Sequence, residues 1–419
     1  MVVYKDNIKR SLYFILFIIA YQTLEQLRVL FPISSGYLIL LLLGCGIFII
    51  EDKNVIRRYF FPTWLVYSII VLINYELGDS YFSKLGPNLG LLLYMFLTAE
   101  IAFYCLGYDK EKLMSWILIV FFVLLIYITI CSYLLNLEEP EIIRHATAQG
   151  FGGDTSLLVS SYRKGMSNYY LPHALPMIIP LFVYLIKKKE MNVYLRVGSI
   201  ILLSFVLLLV YISGAVTAML ISVVMIIITL SMKSGSIRDN LRRIIILSLI
   251  ALPLLFSSSV QIFLMDFVSG FIEEGSQLSK KIELFKEILD LGYATGDLEE
   301  RIDLYNESVN ILNTNPLWGT NDPVGGHSAI LDRLASLGLF GLIPYVLMIY
   351  FQIDFCLKHI SADMRLYYLL GVSTGIIMLF AKSMDNWETW LIMFTILPFL
   401  THKIGLISNS NNSLPFYAF

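Results

Sequence analysis

Charge is scarce in this chain: Asp, Glu, Lys and Arg make up 15% of its 419 residues, while hydrophobic residues make up 57%. A soluble domain carries roughly 25% charged and 45–50% apolar residues, so an ordinary water-soluble core is excluded. Cysteine is scarce too. Cys45, Cys105, Cys131 and Cys356 fall in or at the end of apolar runs without CxxC spacing, which argues against a disulfide framework or a cysteine zinc site. The short alternating segments of an outer-membrane barrel are missing. No internal repeat supports inverted-repeat transporter architecture. The net charge of −2 carries no signal for a nucleic-acid partner. The basic N-terminus (Lys5, Lys9, Arg10) lacks a following small-residue cleavage pattern, so it reads as a retained first helix.

What is present is a succession of apolar runs separated by short charged or Pro/Asn/Gly-rich stretches, with a mean hydropathy of +0.74. A helix crosses a hydrocarbon core in roughly 20 residues because its backbone groups are bonded internally. The runs predict an all-α, polytopic bundle of about twelve spans. The first six are Ser11–Leu30, Tyr37–Ile50, Phe60–Tyr75, Leu89–Leu106, Ser115–Leu135 and Tyr169–Ile186. The rest are Val197–Ile212, Ala215–Leu230, Ile244–Val260, Ala335–Phe355, Leu366–Lys382 and Trp387–Leu400. Most of the 30 lysines and arginines, including Lys187–Lys189, Arg196, Lys358, Arg365 and Lys403, then lie on the side of both termini. Positive charge accumulates on the cytoplasmic face, which predicts cytoplasmic termini.

Two outer stretches are too long to be turns: 136–168, within a first unit of 1–260, and 261–334, ahead of a last unit of 335–419. In the second, Ser276–Leu291 repeats apolar residues at helical spacing. Asp297 and Glu300 read as a capped helix start, with a stop at Asn313-Thr-Asn-Pro316. This stretch holds the densest polar constellation. Arg301, Tyr305 and Ser308 share a helical face, and Pro316-Leu-Trp-Gly319 follows. Gly325-Gly326 then leads to His327-Ser328 at the opening of the next helix, where free N–H groups favour an anion. Arginine supplies a fork for phosphate oxygens.

The run Arg301–Gly341, R-x3-Y-x2-S…P-L-x-G…G-G-H-S-x2-L-D-x2-A-x2-G-x2-G, resembles the C-terminal signature of the O-antigen polymerase and O-antigen ligase superfamily (Wzy-type polymerases). The resemblance implies a GT-C-like helical fold in the bacterial inner membrane, with its active site on the extracytoplasmic face. It implies transfer of a glycan from undecaprenyl diphosphate to a sugar hydroxyl. A flippase and a chain-length regulator would be further partners beside the membrane lipid. By motif, diphosphate binding falls on Arg301 and, more loosely, on Arg163; the catalytic role falls on His327. Many members carry Ser-Arg-Gly near the eighth span where this chain reads Ile212-Ser213-Gly214-Ala215, so Arg163 or Arg144 is the substitute cation.

The physical chemistry agrees with those roles. A departing diphosphate needs cations, and an imidazole with a pKa near 6.5 suits a proton acceptor. No outer-loop Asp-x-Asp or His/carboxylate cluster suits a divalent ion, so a metal-free arginine clamp without a cofactor is the simpler expectation. Tyr305, Ser308, Trp318 and Asp332 are further candidates for substrate contact, each with a plainer role in packing, solvation or helix capping. Glu25 and Arg28 read as a local ion pair, while Glu100 has no evident neutral explanation within its span. His173 reads as packed, and Lys382 and Asp385 as lining the same outer region. The expected activity is polymerisation of an O-antigen or capsular polysaccharide. A ligase-type transfer to another acceptor is the enzymatic alternative, and a lipid-linked oligosaccharide flippase is the non-enzymatic one. A flippase predicts charges along a midplane path rather than a polar outer loop.

Overall fold

The computed structural model describes residues 16–32, 60–76, 81–151, 155–189, 191–232, 297–320, 328–382 and 385–409, with isolated positions between 239 and 287. Every element among the described residues is helical. After a helical stretch at 16–23 come α1 (Glu25–Leu30), α2 (Phe60–Glu76), α3 (Tyr81–Gly107) and α4 (Glu111–Glu138). Next are α5 (Ile142–Phe151) and α6 (Ser156–Arg163), then α7 (Leu171–Lys187), α8 (Val193–Ile212) and α9 (Val216–Ser231). The chain continues with α10 (Asp297–Thr314), α11 (Ala329–His359), α12 (Ala362–Ala381) and α13 (Trp387–Ser408).

Among the described residues, 6 helices are long and apolar enough to cross a membrane: α3 from Leu89, α4, α8, α11, α12 and α13. Phe60–Ile73, α7 and α9 are shorter apolar helices. The expected second and ninth spans lie outside the described residues. The expectation of about twelve spans thus reduces to these six long helices and three shorter ones among the described residues.

The apolar surface divides the helices into two groups. Within the most apolar stretch, 83% of residues are buried in α3 and in α13, against 28% in α8. The two central helices meet through Thr395, whose hydroxyl donates to the Thr98 carbonyl at 2.9 Å. Phe60 meets Phe103 and Phe394 edge-on, and Tyr345 meets Trp390. By contrast, Ile200, Ile201, Leu220, Val223 and Val224 of α8 and α9 stay exposed, an apolar belt suited to hydrocarbon rather than water.

Several elements differ from their sequence expectation for local reasons. The first apolar run is interrupted at Leu24, where the backbone turns extended. Prolines at 172, 176 and 180 break α7 into a short α turn, a 3-10 turn (Leu175–Ile178) and a final α stretch. Proline lacks the amide the helix ladder needs, and its ring crowds the preceding turn. The helix holding the span expected from Ala335 begins at Ala329, as the helix opening expected at His327-Ser328 implies, because Ser328 caps it by accepting from the Leu331 amide at 3.3 Å. Asp332 accepts from the Ser328 amide at 3.3 Å, so its place is in the helix cap. The outer stretch 136–168 holds α5 and α6, and α10 runs over Asp297–Thr314.

The two ends of the bundle differ in charge. At one end Lys187 donates to the Leu230 and Met232 carbonyls, and Lys188 donates to Ser408. Lys403 pairs with Glu111 at 3.3 Å, and His402 donates to the His359 carbonyl at 2.8 Å. Chain direction puts the starts of α7, α11 and α13 and the α8–α9 turn at the opposite end.

Candidate functional site

The opposite end is polar in a different way, with arginines, carboxylates and amides tied to one another. Asn168 begins the arrangement. Its side-chain oxygen accepts from the Leu171 amide at 2.8 Å and the Tyr170 amide at 3.2 Å, starting α7. Its amide nitrogen is thereby aimed at two carboxylates, Glu25 at 2.9 Å and Glu388. Arg28 pairs with Glu25 one turn away and reaches Glu388 at 3.8 Å. Glu388 is 3% exposed, at the first turn of α13. The expected local pair of Glu25 and Arg28 is thus part of a four-residue cluster joining α1, α7 and α13.

Gln26 extends this network. It donates to the Arg163 carbonyl at 2.8 Å and accepts from the Tyr127 hydroxyl at 2.7 Å, holding α6 against α1 and α4. The Arg163 side chain is exposed in the last turn of α6. Burial, followed by the charge of Glu25, pushes the Tyr162 hydroxyl well above its usual range, so it stays a neutral donor. On α5, which packs against α6, Arg144 is half-buried. Its Cδ lies 3.8 Å from where a Gly214 side chain would begin. Arg144, one of the two cations expected to substitute at Ser213-Gly214, thus has its side chain near that turn.

A second pair stands nearby in sequence. Arg333 on α11 donates through Nε and a terminal nitrogen to Asp385 at 3.1 and 2.8 Å. Asp385 also accepts from the Trp390 indole at 2.7 Å, and Asn386 caps α13 by accepting from the Thr389 amide at 3.0 Å. The Arg333 and Asp385 side chains are 15% and 7% exposed, so the pair is mostly shielded from water. Asp385→Asn weakens the fork and leaves the guanidinium short of countercharge. It is expected to cost about 2–3 kcal/mol in stability, read as thermal unfolding of the purified chain in detergent.

Residues of the Arg301–Gly341 run shape the backbone where the Pro316–Gly319 loop meets α11. Within α11, Gly338 takes φ 62, a left-handed conformation that interrupts the helix. The amides released by the break donate to the incoming loop: Leu339 to the Pro316 carbonyl at 2.9 Å and Phe340 to the Leu317 carbonyl at 3.2 Å. In return Thr320 donates to the Ala335 carbonyl at 3.1 Å. The Pro316–Gly319 loop is thus hydrogen-bonded into the helix break. Trp318 lies 4.5 Å from the Phe340 ring and is 66% exposed.

The expected catalytic residues are only partly brought together. Arg301 lies on α10, Tyr305 is half-buried, and Ser308 is 3% exposed, on a helix that packs on α11. Ser308 is therefore buried rather than solvent-facing. His327, Gly325 and Gly326 lie outside the described residues, as does the side chain of Arg301. Arg144 and Arg163 share one packed helix pair, and neither pairs with a carboxylate among the described residues. His173 is packed as expected, 1% exposed, with Nδ1 donating to the Tyr169 carbonyl at 2.9 Å. Glu100 is fully buried in α3. Sequence reasoning passed over Glu388, although a glutamate beside a tryptophan at the head of an apolar run is itself a signal.

No protein-family model matches the chain, and no curated protein matches it.

Proposed function

We propose that this chain is a polymerase of lipid-linked oligosaccharides at the outer face of the bacterial inner membrane. The donor is a growing glycan on undecaprenyl diphosphate, and the acceptor is a hydroxyl of a new lipid-linked repeat unit. In the transfer, the anomeric carbon–oxygen bond to the diphosphate breaks and a new bond to the acceptor oxygen forms. His327 takes the acceptor proton, and the lipid diphosphate leaves as an anion. Arg301, Arg163 and Arg144 offset the charge that develops on it. Tyr305, Trp318 and Asp332 border the same outer loop.

The observation that carries this reading is Arg144 beside Gly214, at the bundle end opposite Lys187, Lys188 and Lys403. The basic end fits the cytoplasmic side, which leaves the arginine-bearing end facing outward. A half-buried arginine without a carboxylate partner among the described residues is suited to an anionic group. The gathering of Arg144, Arg163, Arg28 and Arg333 at this end favours transfer over flipping.

Arg144→Ala is expected to lower polymer formation roughly 100-fold, the scale of losing one preorganised charge donor. Arg144→Lys is expected to recover only part, because a point charge does not reproduce the guanidinium fork. Reconstituted protein with purified lipid-linked repeats, analysed by gel laddering, reads both. Wild-type laddering in Arg144→Ala would remove Arg144 from the diphosphate site.

A further inference from the structure

The chain has five tryptophans, and their exposure sorts them. Trp64 and Trp390 are buried and Trp387 packs partly buried against the core, whereas Trp116 and Trp318 are 46% and 66% exposed. These two lie toward opposite ends of the bundle. Trp116 is in the second turn of α4, whose first residue, Glu111, pairs with Lys403 at the basic end. Trp318 is in the loop bonded into the α11 break, toward the other end. An indole has an apolar body and a polar N–H, and it collects where hydrocarbon meets headgroups.

Helix α11 shows where that junction falls. From Ala329 to Gly338 each residue is buried or half-buried. Past the break, Leu339, Phe340, Ile343, Val346, Leu347 and Tyr350 are exposed at spacings of three and four, an unbroken apolar stripe. The helix beyond it ends on charge, with Lys358 exposed and paired with Asp354. From Phe340 to Lys358 a helix rises about 27 Å, close to the roughly 30 Å of a hydrocarbon core. Trp318 stands at the head of the stripe, its ring 4.5 Å from that of Phe340, with Leu317 exposed beside it. The residues just before them, Asn313, Thr314 and Asn315, are exposed and polar. The exposed surface thus changes from polar to apolar within a few residues, at the level where α11 first opens its face.

We infer that Leu317, Trp318 and Phe340 form a membrane-interface anchor that contacts bilayer lipid where headgroups meet acyl chains. The Gly338 break marks that level along α11. The amides of Leu339 and Phe340 tie the loop to the helix, so the anchor also holds α10, which packs on α11, at the membrane surface. The contact depends on neither the reaction nor the direction of the bundle, so it goes beyond the transfer reading. It also takes Trp318 out of the candidates for stacking on a sugar.

The test places the full chain in phosphatidylcholine nanodiscs whose acyl chains carry bromine either near the glycerol or near the chain end. The emission lost in Trp318→Phe isolates Trp318, and an unchanged melting temperature shows that the variant is folded. Leu317→Trp adds an indole at the neighbouring exposed position and serves as a second reporter in a chain that keeps Trp318. For both, bromine near the glycerol is expected to quench roughly twofold or more strongly than bromine near the chain end, with little quenching by aqueous iodide. Quenching by iodide without quenching by bromine would put the ring in water and overturn the anchor. Stronger quenching by the deep bromines would overturn it by placing the ring inside the hydrocarbon. Protection from both quenchers would do so by showing that protein, such as a second copy of the chain, covers the face.

Discussion

Gly338→Ala is expected to destabilise the protein by roughly 3–5 kcal/mol, among the largest effects of any single methyl group in the chain. Two costs add there. At φ 62 and ψ −166 an alanine is forced into a backbone region that essentially only glycine adopts. Its Cβ would also overlap the Leu317 carbonyl and the Trp318 amide, which are backbone atoms that cannot rotate away. Moving that loop breaks the bonds from Leu339 to Pro316 and from Phe340 to Leu317, leaving amides unpaired inside α11. Gly198→Ala is the matched control. It sits in the α8 helix with nothing within 4 Å of an added Cβ, so alanine is expected to be neutral or stabilising by up to about 1 kcal/mol. Thermal unfolding in detergent separates the two, and equal melting temperatures would show that the break does not organise the fold.

Arg28→Met is the second large effect. Removing the guanidinium leaves Glu388, 3% exposed, and Glu25 facing each other with only Asn168 between them. Breaking a buried pair from one side costs roughly 3–5 kcal/mol, because the remaining charge cannot be solvated. Glu388→Gln alone is expected to cost under about 1.5 kcal/mol, since Arg28 keeps Glu25 and the new amide can still accept from Asn168. The double variant Arg28→Met/Glu388→Gln is then expected to recover about 2 kcal/mol of the single loss, a coupling typical of contacting charges. Additive losses in the cycle would mean that the two side chains do not interact.

These two sites show what local pattern can and cannot specify. The cap at Ser328 is legible in the sequence, because capping involves residues three or four apart. The exposed helices α8 and α9 were legible from their unbroken apolar composition. The break at Gly338 was not. Its hydrogen-bond partners come from the Pro316–Gly319 loop, and glycine within an apolar run reads equally as a packing position. Gly338 thus has a backbone explanation that needs no ligand. Glu388 was missed because its meaning depends on Asn168, 220 residues away. The sequence offers Arg144 as a substitute cation, but only the fold brings its side chain near Gly214. His327 and Gly325-Gly326 lie outside the described residues, and the roles expected of them rest on motif alone.

The transfer reading is tested most directly by the lipid-linked products themselves. Cells lacking this chain, and the same cells complemented with it, are extracted and their undecaprenyl-linked glycans sized by mass spectrometry. Without the chain, single repeat units are expected to accumulate on the outer leaflet with no ladder. Complementation is expected to restore multiples of the repeat. His327→Ala, expressed to the same level, is expected to leave single repeats. Full-length polymer still on its lipid in the deleted cells would contradict polymerisation and indicate a ligase. Single repeats confined to the inner leaflet would contradict it in favour of a flippase.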